Sequence, residues 1–279
     1  EELKLKYGIF ASSATGEDGI ETIENEKLKI SVAKKGGRIV SVELKEYQTH
    51  DSLALELFDA DSSRFNLQFT TGHNINTENL YFKAEHNRNS LSMKLFADEN
   101  HYIEYLYTIN DDYLVDFDIN LIGMESLIAS NTNYMNLEWQ MKTPQTEKSK
   151  SNQDMYTGIQ YQYSSDREVD YLSFTSSDDD KINAKLNWVA FKQQFFSAIL
   201  ISKDGFEKPT YLTSSKSESS KYIKDLYAKF ELPYNHKNNE QLKLQFYFGP
   251  NHYKTLESYN SGFEELIPLG WGIFGWVNK

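Results

Sequence analysis

Along most of this chain, apolar residues fall at every second position. Leu28, Ile30 and Val32 alternate with Lys29 and Ser31, and Val40, Val42 and Leu44 alternate with Ser41 and Glu43. Leu91, Met93 and Leu95 repeat the rule. Val115, Phe117, Ile119 and Leu121 do so against Asp116, Asp118 and Asn120. Met135, Leu137, Trp139 and Met141 follow, then Leu242, Leu244, Phe246 and Phe248. Successive side chains of a strand point to opposite faces, so each segment has one dry and one wet face. Such faces are buried by packing antiparallel sheets face to face. No long helical period interrupts the pattern before Gly249-Pro250. The expectation is an all-β fold, a large antiparallel two-sheet sandwich of roughly 14–18 strands with one or two short C-terminal helices. No internal repeat suggests a propeller.

The connections agree. Lys34-Lys35-Gly36-Gly37 lies between two alternating runs, where glycine supplies the positive φ of a tight hairpin. Asn110-Asp111-Asp112 separates His101–Ile109 from Tyr113–Leu121 and reads as a second hairpin. Ser12–Gly19, Pro144–Asp154, Thr175–Lys181 and Thr213–Lys221 read as surface loops, too polar to offset the entropy of ordering. Asp178-Asp179-Asp180 has the oxygen ligands of a calcium loop, but the spacing matches no EF-hand.

Composition removes whole classes of function. Of 279 residues, 29 are Lys or Arg and 41 Asp or Glu, a formal charge of −12. Nucleic-acid binders carry a basic stripe for phosphates, and anionic lipid attracts basic segments, so neither nucleic acid nor simple lipid adsorption is expected. The 17 Phe, 19 Tyr and 4 Trp are too many for a disordered chain. With no Cys there is no disulfide framework, thiolate metal site or thiol nucleophile. Mean hydropathy is −0.63, and no run approaches the ~20 apolar residues of a membrane helix. Glu1-Glu2-Leu3-Lys4 is not a signal peptide, so export implies a targeting segment already removed.

Beyond Gly249-Pro250 the pattern changes. Tyr253–Asn260 permits a short helix with Asn251 placed to cap it and Gly262 to end it. Ile267–Val277 then reads Ile-Pro-Leu-Gly-Trp-Gly-Ile-Phe-Gly-Trp-Val, apolar but too short to span. Trp favours the membrane–water boundary. Three readings stand: a helix packed on the sandwich, an interfacial segment approaching a removed membrane span, or an aggregation-prone product of truncation.

Catalytic patterns are scarce. His50, His73, His86, His101, His236 and His252 include no pair at metal-binding spacing, and there is no nucleophile elbow, dinucleotide fingerprint or phosphate loop. No catalytic or metal-binding residue and no cofactor is assigned. Tyr81-Phe82, Tyr105–Tyr107, Tyr161–Tyr163 and Phe246–Phe248 suit either a sugar groove or core packing at strand spacing.

Four stretches together resemble the large periplasmic domain of bacterial membrane protein insertases of the Oxa/Alb/YidC family. The first is Glu24-Asn25 leading into Lys34–Leu44, with its Gly36-Gly37 turn. The second is Asn187–Ala198, with Trp188, Gln194, Phe195 and Phe196, similar to the family's most recognisable strand pair. The third is Phe246–Tyr253, a strand, Gly249-Pro250 and a helix. The fourth is Leu269–Trp276, which looks like the segment leading to an interfacial helix and a membrane span. The style is similar to the Bacteroidetes-type version.

The resemblance implies a β-supersandwich like that of galactose mutarotases. It implies a periplasmic domain of a multi-pass inner-membrane protein, non-catalytic, whose insertase core lies elsewhere. Implied partners are the Sec translocon and accessory proteins of the SecD/SecF type, nascent membrane proteins, and lipid. Lipid contact would run through Ile267, Gly270, Trp271, Phe274 and Trp276. Residues 1–23 are expected as a linker after a removed span, 24–250 as the sandwich, and 251–279 as helices leading toward the membrane. Its rivals are a carbohydrate-binding or aldose-epimerase-like protein on the same fold, which requires a His and a Glu on opposite walls of a cleft, and a plain surface β-sandwich or adhesin.

Overall fold

The computed structural model describes residues 1–267. After a short helix α1 (Glu2–Tyr7), strands β1 (Ile20–Glu24), β2 (Leu28–Ala33), β3 (Ile39–Gln48) and β4 (Ala54–Glu56) form a four-stranded sheet in chain order. The larger sheet begins with β5 (Ser63–Thr70), β6 (Asn74–Asn76), β7 (Lys83–His86), β8 (Ser90–Phe96), β9 (Tyr102–Ile109), β10 (Leu114–Ile122) and β11 (Tyr134–Pro144). Helix α2 (Lys150–Met155) leads to β12 (Gly158–Tyr163), β13 (Val169–Tyr171), β14 (Asp178–Ile182) and β15 (Leu186–Lys192). Then come β16 (Phe196–Lys216), β17 (Tyr222–Pro233), β18 (Asn239–Pro250) and helix α3 (Tyr253–Ser258). The strand order is β6-β5-β11-β17-β16-β18-β10-β9-β8-β7, with β14 and β15 also on β16, and β12 and β13 beyond β15.

β16 makes this sheet into a sandwich. Its 21 residues turn a corner: Phe196–Ser202 pairs with β18, while Glu207–Lys216 pairs with β17. Gly205 stands at the corner with φ +80°, where an L side chain is strained and a Cβ would meet the Leu186 carbonyl oxygen at 3.3 Å. The two arms then face each other. Trp139 of β11 stacks on Phe191 of β15 at 3.8 Å, and Phe65 of β5 meets Phe117 of β10 edge-on at 5.4 Å. Such offset and T-shaped pairs are the favoured arrangements of aromatic quadrupoles. The period-two faces are buried as the alternation requires: Val115, Phe117, Ile119 and Leu121 are all fully buried. Tyr105, Tyr107, Phe246 and Phe248 lie in the same core, not along a groove.

Four local expectations change. Residues 1–23, read as a linker, carry α1, a 3-10 segment (Gly8–Ala14) and most of β1. Phe10 is fully buried 5.8 Å from Phe69, and Ser13, read as loop, donates to the Phe96 carbonyl at 2.8 Å. Thr175–Lys181 is not all loop, because Asp178–Ile182 pairs with the open edge of β16, anchored by buried Ile182. Likewise β16 runs to Lys216, into the expected Thr213–Lys221 loop. Backbone pairing supplies the order that these polar side chains do not. Finally, His252 rather than Asn251 precedes α3. The Asn251 side chain instead accepts from Ser197 at 2.7 Å and donates to the Gln193 carbonyl at 3.0 Å.

Candidate functional site

Two features could serve function: an open polar face on one arm, and a C-terminal strap laid on the outside of the other. The polar face follows from alternation. On β5, β11 and β17 the core-facing residues are apolar, so Arg64, Asn66 and Gln68, then Asn136, Glu138 and Gln140, then Tyr227 and Lys229 share the opposite face.

Glu138 is its hub. It accepts from Asn66 at 3.2 Å, Gln68 at 3.0 Å and Tyr227 at 2.9 Å, and lies 3.2 Å from Arg64. Three of these donors converge on Oε2 and Tyr227 alone reaches Oε1, so the carboxylate is held mainly by its own neighbours. Arg64 forks onto Glu78 at 2.6 and 2.8 Å, and that bond raises the guanidinium pKa. Burial, helped by the bond to Glu138, raises that of the Tyr227 phenol, which stays a donor. Beside the hub, Gln68, Thr70, Asn74, Asn76, Asn133 and Asn136 line an uncharged groove of about 670 Å³.

The lining of this groove includes no His, Asp or Glu to supply the acid and base that sugar epimerisation needs. Among the described residues the His–carboxylate contacts are His86–Glu21 at 2.8 Å and His101–Asp98 at 2.7 Å, both on exposed edges. The first joins β7 to β1, the second closes one turn. Neither involves Glu138. Nor do three His, Asp or Glu side chains gather as a metal set among those residues.

The strap is α3 followed by a 3-10 turn at Phe263–Leu266. Leu256, Phe263 and Leu266 are buried. Trp188, on the outer face of β15, donates its indole N–H to the Ser261 carbonyl at 3.0 Å and meets Phe263 edge-on at 5.7 Å. Arg167 holds the Asn260 carbonyl at 2.9 Å.

The residues singled out by sequence fall into separate places. Gly36 and Gly37 form the β2–β3 hairpin, with φ of +83° and +61°. Trp188 of β15 holds the strap, and Gly249 and Pro250 lead into it. A Cβ on Gly249 would lie 2.6 Å from the Tyr247 hydroxyl, which donates to the Pro250 carbonyl at 2.7 Å. Phe196 is buried against Tyr47 at 5.1 Å, while Phe195 is 51% exposed at the tip of the β15–β16 turn. Among the described residues the Gln194 Oε1 has no hydrogen-bond partner; its neighbour Gln193 is the structural amide, donating to the Leu57 carbonyl and accepting from Gln153. Nothing in a Gln-Gln pair at a turn tells which one faces inward. Ile267 packs against the core at the end of the strap. Gly270, Trp271, Phe274 and Trp276 lie outside the described residues.

Sequence reasoning missed two buried lysines. Lys192 donates to the Tyr156 carbonyl at 3.1 Å, and Lys224 to the Thr157 and Asp154 carbonyls at 2.6 and 3.1 Å. They fasten α2 and its exit to the sheet. Burial pushes Lys192 down to about 8.

A family model described as the YidC periplasmic domain matches residues 21–279. Membrane protein insertase YidC of Parabacteroides distasonis is 35% identical over 292 aligned positions, covering 100% of this chain and 46% of that protein. The Bacteroides fragilis protein of the same name is 35% identical over 280, covering 97% and 45%. The chain thus spans about half the length of these relatives. Among solved structures, a galactose mutarotase-like protein from Lactobacillus casei superposes with a TM-score of 0.51 at 12% identity, covering 83% of this chain and 100% of that one. That likeness is one of fold.

Proposed function

The chain belongs to the YidC periplasmic domain family, and from that membership we propose that it acts as a rigid, non-catalytic docking module of a membrane protein insertase. In this reading the domain stands in the periplasm beside the inner membrane. Residues 24–250, with the docked segment before them, form the body, and 251–279 carry the chain toward the bilayer. The engine that inserts nascent membrane proteins lies in the part of the relatives that this chain does not cover. The proposed contacts are passing substrate segments, the Sec translocon with accessory proteins of the SecD/SecF type, and lipid. Lipid contact would run through Ile267, Gly270, Trp271, Phe274 and Trp276, residues suited to an interface.

The observation that carries this reading is the Trp188 clamp. A buried indole that bonds the strap backbone and packs on Phe263 fixes where the chain leaves the body. A spacer must transmit position, and a clamp of this kind does so. The engaged Glu138 supports a non-catalytic role.

The test is complementation in cells depleted of the insertase, using the full-length protein. Phe263→Ala should impair growth more than deletion of the Ser217–Ser220 turn. Equal or reversed effects would refute positioning by the strap. Purified chain should leave the rate of galactose mutarotation at its spontaneous value. A measurable acceleration would favour the epimerase reading instead.

A further inference from the structure

A second groove, of about 600 Å³, lies between the four-stranded sheet and β11. Ile20, Ala33 and Val40 form an apolar wall. Its charged lining is Lys35, Arg38, Arg64 and Lys142 against Asp61 and Glu78, so 4 − 2 = +2 in a chain of formal charge −12. A local excess of cations in an acidic protein focuses anions toward the groove.

Arg64 is engaged by Glu78 and Glu138. The other three have no carboxylate partner among the described residues. Arg38 donates to two neutral acceptors, Ser63 Oγ at 2.6 Å and the Ala60 carbonyl at 3.2 Å. A guanidinium has five N–H donors, so three are left. Burial lowers the Arg38 pKa although Glu78, which makes no salt bridge with it, pulls the other way. Lys35 and Lys142 lie near the rings of Tyr81 at 5.7 Å and Tyr222 at 6.0 Å, and among the described residues their amines make no hydrogen bond to a protein acceptor.

The backbone that carries Lys35 and Arg38 is fixed in place. Gly36 N–H donates to the Leu80 carbonyl at 2.8 Å, and Tyr107 donates to the Gly37 carbonyl at 2.8 Å. The β2–β3 turn between Lys35 and Arg38 is therefore bolted to the body.

We propose that this groove binds a phosphate-bearing anion, with Arg38 as the forked contact and Lys35 and Lys142 as flanking charges. Guanidinium matches phosphate oxygens in a planar, two-point geometry. Three uncommitted cations suit a multiply charged or diester phosphate better than a lone carboxylate, and the apolar wall accepts the organic part. A phospholipid headgroup and a soluble organic phosphate share this chemistry. The proposal stands apart from the docking role.

The experiment uses the whole 279-residue chain at low ionic strength. Inorganic pyrophosphate is titrated by calorimetry. In parallel, retention is measured on vesicles of phosphatidylcholine with and without phosphatidylglycerol; any contribution from the C-terminal segment is common to both. The variants are Arg38→Gln with Lys142→Gln, and separately Lys35→Gln with Lys142→Gln, whose amines hold no part of the fold. Lys243→Gln, outside the groove, is the control. We expect affinity to fall at least tenfold in both double variants and to stay unchanged in the control. Binding of pyrophosphate identifies a soluble phosphate, and retention only with phosphatidylglycerol identifies a headgroup; either supports the site if the variants lose it. Binding of neither probe, or binding that the double variants retain, overturns it.

Discussion

Replacing Trp188 by Phe isolates the clamp. The substitution keeps an aromatic ring against Phe263 but removes the indole N–H that satisfies the Ser261 carbonyl at 3.0 Å. Leaving the part-buried Ser261 carbonyl without its donor costs about 1 kcal/mol. Trp188 is 1% exposed, so the lost half of the indole also leaves a void, at about 1–2 kcal/mol. The sum is about 2–3 kcal/mol, mostly charged to the strap. Opening of α3 and the turn after it should become about 30- to 150-fold more frequent, at 1.4 kcal/mol per tenfold. Native-state hydrogen exchange reads this directly. The amides of Leu256, Tyr259 and Asn260, bonded within the strap, should exchange faster by that factor. Those of β10 report global unfolding and should change less. Equal acceleration at both would mean that Trp188 is only a core residue, and the clamp argument would fall.

Other expectations follow from the same geometry. Lys192 has a folded pKa of about 8 against an ordinary 10.5, so below pH 8 both states hold the proton and stability has no slope from this group. Between pH 8 and 10 the unfolded state holds more protons, and stability should rise by up to about 2 kcal/mol. Urea unfolding of Lys192→Met should show that rise abolished; an unchanged slope would assign it elsewhere. Glu138→Gln turns an amide toward donors that now lack an acceptor, and should lower stability by about 1–3 kcal/mol in thermal melts, discounted because Arg64 is partly exposed. Gly37→Ala meets both a positive φ and the Phe82 ring at 2.7 Å, whereas Gly72→Ala, with φ +78° and open space, meets strain alone. The first should cost at least about 1 kcal/mol more than the second, and parity would show that Phe82 moves aside freely.

The chain by itself determined what is local. Period two along Val115–Leu121 or Met135–Met141 requires strands with one dry face, because side-chain direction is set by the backbone within a few residues. The Gly36-Gly37 hairpin, the acidic surface and the four family stretches are likewise written in short segments. Tertiary structure decided everything that depends on which distant backbone lies alongside. Asp178–Ile182 became a strand because the far half of β16 offered it an edge. Residues 1–14 became a docked segment because Phe10 found Phe69. The inward choice of Gln193 over Gln194, the convergence of three donors on Glu138 Oε2, and the meeting of Lys35 and Arg38 with Lys142 across one groove have the same origin. Hydrogen bonds and desolvation act over a few ångströms in space, and the residues they join here are up to a hundred or more apart in the chain.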